Sequence, residues 1–100
     1  MVYAIFRIEP SNAAKINDVL KDELANRQSV LTRDAGSLGM DGNALYFKVE
    51  GSEQGVERAA EILKENGGGV KMPESEAAAI NRKIIEEEEN AADGMGMIFG

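Results

Sequence analysis

Ala44-Leu-Tyr-Phe-Lys-Val-Glu50, closed by Gly51, is the stretch on which the reading of this chain turns. Leu45, Phe47 and Val49 point one way along it, and Tyr46, Lys48 and Glu50 the other, which is the period of a half-buried strand. Gly51 breaks the run and Ser52 offers a helix cap. Val56, Ala59, Ala60 and Leu63 then form the stripe of a helix that stops at Asn66-Gly67, with Ile62 beside the stripe. Glu61 and Lys64 fall on its exposed side. Gly69 to Met72 makes a short strand before Pro73.

Upstream, residues 2 to 8 are β-branched and aromatic enough for another strand. Val2, Ala4, Phe6 and Ile8 share one face, and Tyr3 and Ile5 make the other face apolar too. Pro10 with Ser11 opens a helix, since Ser caps well and Pro cannot continue a ladder. Ile16, Val19, Leu20 and Leu24 recur at helical spacing, which predicts a helix over residues 12 to 26. Residues 29 to 33 read as a strand. Residues 34 to 43 hold Gly36, Gly39 and Gly42 among Asp, Ser and Asn, the chemistry of a hairpin loop.

Downstream, Ser75 caps a third helix whose Ala77, Ile80, Ile84 and Ala91 face inward. The order of elements predicts an α+β fold, a two-layer βαββαβ ferredoxin-like sandwich with an additional C-terminal helix. Residues 1–73 form the sandwich, and residues 74–100 the acidic helix and an apolar tail. Two helices cover one sheet face, so the apolar second face, with Tyr3 and Ile5, needs helix three or a second subunit over it. Met95, Met97, Ile98 and Phe99 end the chain as an apolar cluster among glycines, either a contact device for a partner or a frayed end.

Composition narrows the chemistry. The 100 residues contain neither Cys nor His, which removes disulfides, thiolate nucleophiles and the commonest general base and metal ligand. An enzyme is not expected, nor a cofactor or metal. A net charge of −7 with scattered Lys and Arg speaks against nucleic acid as a partner. No stretch approaches the roughly 20 apolar residues of a membrane span, and Arg7 and Glu9 interrupt the first apolar run, so the expectation is a soluble, cytoplasmic protein without a secretory signal.

The remaining motifs each have a plain structural account. Gly36-Ser-Leu-Gly39-Met-Asp-Gly42 matches neither a dinucleotide fingerprint nor a P-loop, and reads more simply as a loop. Asp34 and Asp41 lack the alternation of a calcium loop. Glu86, Glu89, Asn90 and Asp93 share a helix face that could hold a cation but suits a solvated face better. Ser11 and Asn12 could offer a hydroxyl, an amide and helix-terminal N–H groups to a carboxylate ligand, or simply cap the helix. Arg33, on a strand placed near the middle of the sheet, is the cation to watch beside them.

The run Ala44 to Gly51, the helix Val56-Glu-Arg-Ala-Ala-Glu-Ile-Leu63, then Asn66-Gly67 and Val70 resemble the NIL domain, an ACT-like module. A strand leading to Pro10 near a helix start is similar as well. The resemblance covers residues 2 to 72. ACT domains have Gly directly after that Pro, where this chain has Ser11, and residues from Ser75 onward have no counterpart. The resemblance implies a regulatory module that binds a small amino acid and acts as a homodimer. The alternative is a structural or assembly protein that uses helix three and the tail on a protein partner.

The phase of the second helix is testable. Leu63→Ala is expected to cost roughly 2 to 5 kcal/mol in urea unfolding, the range for emptying a packed leucine site, and Lys64→Ala very little. Equal, mild losses would show that the stripe is misplaced.

Overall fold

The alternation over residues 45–51 becomes the middle of a sheet. The computed structural model describes residues 1–99, and the side chains of residues 1–89. Its elements are β1 (Val2–Ile8), α1 (Ile16–Lys21), β2 (Ser29–Asp34), β3 (Leu45–Gly51), α2 (Glu53–Asn66), β4 (Val70–Lys71) and α3 (Glu74–Phe99). The fold is α+β, with four antiparallel strands in the order β2-β3-β1-β4. β1 pairs with β3 from Val2↔Gly51 to Ile8↔Leu45, which sets Phe6 directly across from Phe47. Their rings lie 6.4 Å apart, tilted by 40°, within the favourable range for aromatic pairs.

Both faces of the central strands are covered. Ala4, Phe6 and Ile8 with Phe47 and Val49 pack against Ile16 and Val19 of α1 and Val56, Ala59, Ile62 and Leu63 of α2. On the opposite face Ile5 and Tyr46 meet Ala77, Ile80 and Ile84 of α3, together with Ala35, Leu38 and Ala44. The chain's own α3 therefore covers Ile5, which is fully buried, and Tyr3 packs partly buried at the margin of the same cluster. α3 shares a core with the sheet and is no detached appendage. The tail residues Met95, Met97, Ile98 and Phe99, and Ala91, lie outside the described side chains.

The first helix departs from the expectation. Residues Pro10–Lys15 form a 3-10 turn, α1 is only six residues long, and a second 3-10 turn spans Ala25–Arg27. Leu20 and Leu24 are 42% and 41% exposed, so they do not belong to the buried stripe, and Ala25 fills the core in their place. The cause is Asp22, whose backbone turns extended after Lys21. Its Oδ2 accepts from the N–H of Leu24 at 3.1 Å and of Ala25 at 2.9 Å, an Asx-type turn that competes with helix. Ser11 is not a cap either: Glu9 holds that position and makes no side-chain cap bond. Ser75 lies inside the first turn of α3, which begins at Glu74.

Two glycines near β2 serve packing. A Cβ on Gly51 would fall 2.1 Å from Gln28 Oε1, and one on Gly55 2.1 Å from Gln28 Cδ. The Gln28 amide thus occupies a slot between them, where its Oε1 accepts from Ser52 N at 2.9 Å and its Nε2 donates to Leu24 O at 2.9 Å. One side chain links the α1–β2 connection to the start of α2. The segment after β2 is also more ordered than a plain hairpin loop. Gly36–Leu38 form a 3-10 turn, Ala35 N donates to Ala44 O at 3.0 Å, and Leu38 inserts beneath α3.

Two measurements probe this arrangement. Ile84→Ala should cost roughly 2 to 5 kcal/mol, and Ile85→Ala, at an exposed position, well under half of that; equal losses in urea unfolding would mean that α3 does not pack by this face. Asp22 also accepts from Arg58 Nε at 3.0 Å across to α2. The Ala25 N–H, followed by Arg58, holds its carboxyl below the usual value of 3.8. A depressed folded pKa stabilises above the unfolded value and loses that contribution as pH falls through the folded pKa. Asp22→Asn should therefore be less stable than the parent above about pH 4, with the gap closing on further acidification. A gap independent of pH would remove the charge from the account.

Candidate functional site

β1 leaves the sheet at Ile8 next to the point where α2 gives way to β4, and the two exits form one cleft. α2 ends at Gly67, whose φ of 67° is left-handed and suits glycine. Gly68 N then donates to Leu63 O at 3.0 Å and to Asn66 Oδ1 at 2.7 Å. Asn66 Nδ2 in turn donates to Asp18 Oδ2 at 2.8 Å, which binds the loop to α1. A Cβ on Gly68 would meet Lys15 Cβ at 2.9 Å, and one on Gly69 would meet Ile8 Cγ1 at 2.9 Å. Only glycines let the loop lie this close to β1 and the turn after it.

The resulting cleft measures about 520 Å³. Phe6, Leu63, Ala60 and Val70 give it an apolar lining, and Arg7, Lys64, Lys71, Glu9 and Asn12 supply the polar groups. Arg7 Nη1 and Glu9 Oε1 are paired at 3.0 Å, and both side chains are about half exposed. By strand alternation Arg7, paired with Glu9, and Val70 opposite it turn away from the face of Phe6 and Leu63. Lys64 and Lys71 are therefore the cations beside the apolar floor, and with Asn12 they suit a small anion or zwitterion with an apolar body. The lining contains no Ser, Thr, Tyr or Cys, and so no hydroxyl or thiol nucleophile.

The candidates from the sequence part company here. Asn12 lines the cleft, and Ser11 sits in the adjoining turn with its side chain exposed. Arg33 does not join them. β2 is an edge strand at the far side of the sheet, not a middle one, and Arg33 Nε donates to Glu87 Oε1 of α3 at 2.6 Å. Leu63, Lys64, Arg7 and the Gly67 to Gly69 loop were missed as a site, because in the sequence they read as core, surface and turn. Their convergence depends on β4 pairing with β1.

Two features elsewhere complete the polar inventory. Lys48 is 8% exposed under α3, with Glu50 Oε1 3.9 Å from its Nζ and the Tyr3 ring centroid 5.5 Å away. Among the described residues no group of three or more carboxylates is placed to hold a metal ion. Asn90 and Asp93 of the acidic face lie outside the described side chains. No helix among the described residues is long and apolar enough to cross a membrane.

No protein-family model, no curated protein and no solved structure matches this chain.

Proposed function

We propose that the chain is a non-catalytic ligand-sensing module of ferredoxin-like fold, related in design to NIL and ACT domains, and that its ligand is a small amino acid. The observation that carries the reading is the cleft at the shared exit of β1 and α2. Lys64 and Lys71 can receive a carboxylate, the Asn12 amide oxygen an ammonium group, and the floor of Phe6 and Leu63 an apolar side chain. The antiparallel order β2-β3-β1-β4, with α1 and α2 packed on one face, supports the plait architecture that such modules use. A homodimer belongs to the same proposal. The assembly reading has less behind it: the inner face of α3 up to Ile84 packs on its own sheet.

The test is a titration of the twenty amino acids followed by amide chemical shifts. Saturable changes at Asn12, Gly68 and Gly69 are expected for at least one of them. Lys64→Ala, at an exposed position, should weaken that binding by roughly ten-fold without unfolding the protein, as loss of a charge-assisted hydrogen bond does. If no amino acid produces a saturable shift there, the ligand-sensing reading fails.

A further inference from the structure

The sheet contains a notch. β1 runs for seven residues, yet β4 pairs with only two of them, Phe6↔Lys71 and Arg7↔Val70, and one further bond runs from Met72 N to Ile5 O at 2.9 Å. In the same register Tyr3 would face Glu74, but Pro73 has no N–H to donate and Glu74 already begins α3. The strand partner is withdrawn halfway along β1.

The hydrogen-bonding direction of β1 follows from that bond. Ile5 turns its C=O toward β4, so by the alternation of an antiparallel ladder Tyr3 does the same with its N–H and C=O. Among the described residues no strand lies beside Tyr3 on that side. What lies there is a cleft of about 690 Å³ between the end of β4 and the first turn of α3. Val2, Met72 and Ala77 are among its walls, with Lys71 and Glu74 at opposite positions on the chain that bounds it.

The geometry points to a strand-addition site: an extended peptide segment that pairs with the backbone of Tyr3 and places an apolar side chain in this cleft. Extended backbone is the occupant that the edge selects. It offers an N–H and a C=O at the spacing of the Tyr3 pair, which neither a helix face nor a small anion provides. The apolar walls favour Val, Ile or Leu at the residue facing them, and polar residues on either side. The site shares only Lys71 with the amino-acid cleft at the other end of β4, and the Tyr3 backbone belongs to this site alone, so either proposal can fail without the other.

The probe is an acetylated and amidated hexapeptide, Thr-Val-Thr-Val-Thr-Lys, added to the full chain, with amide shifts and hydrogen exchange as readouts. Saturable shifts at Tyr3, Met72 and Ala77 and slowed exchange of the Tyr3 amide are expected. Two versions, N-methylated on one or the other alternate set of residues, discriminate pairing from adhesion. The set whose methyl groups face β1 should bind roughly ten-fold or more weakly than its counterpart, since it cannot form the bonds. Absence of shifts, or equal binding of the two methylated forms, overturns the proposal. So does protection of the Tyr3 amide that rises with protein concentration alone, which would make a second copy the occupant.

Discussion

The structure depends on the pairing of β1 with β3. Phe6 and Phe47 face each other across the two strands, and the register they share places Ala4, Phe6, Ile8, Phe47 and Val49 on one face and Ile5 and Tyr46 on the other. A slip by one residue would exchange the two faces and present Arg7 and Lys48 to the α1 and α2 side. Two apolar faces require two covers. That requirement explains why a sheet of four short strands carries helices on both sides.

The two covers differ in character. α1 and α2 pack on an apolar face, and their polar contacts lie at the periphery, where Asp22 joins Arg58 and Asn66 joins Asp18. α3 lies on a face that includes the buried Lys48 side chain and the Arg33–Glu87 pair. Asn81 Oδ1 and Glu87 Oε2 are buried there without a hydrogen-bond partner among the described residues. Buried polar groups weaken an interface unless they are satisfied. The apolar anchors Ala77, Ile80 and Ile84 carry its attachment.

The candidate site and the notch share a cause in β4. This strand is two residues long because glycines precede it and Pro73 follows it, and Val70 is 72% exposed. Its shortness leaves a cleft at either end: one where the glycine loop rests on Ile8, and one where β1 continues with β3 on one side and no strand on the other. Both lie along one edge of a central strand, within reach of the same short segment. Both proposed sites thus fall on a brief, incompletely paired edge, in line with the rule that binding residues collect where regular pairing stops.

Much of the fold was legible in the sequence alone. The alternation in residues 44–50 and the stripe of Val56, Ala59 and Leu63 determine a strand and a helix locally, because side-chain period is a property of the backbone that neighbours in sequence share. The inward positions Ala77, Ile80 and Ile84 follow for the same reason. Local pattern failed at Leu20, which stays helical but exposed, and at Leu24, where the Asp22 side chain took backbone N–H groups that a continuing helix would have paired along its axis. It also could not place Arg33 at a sheet edge, or separate it from Ser11 and Asn12. Of the site, only Asn12 was visible beforehand. Arg7, Leu63, Lys64 and the glycine loop lie up to 62 residues apart, and only the pairing of β4 with β1 decides that they meet.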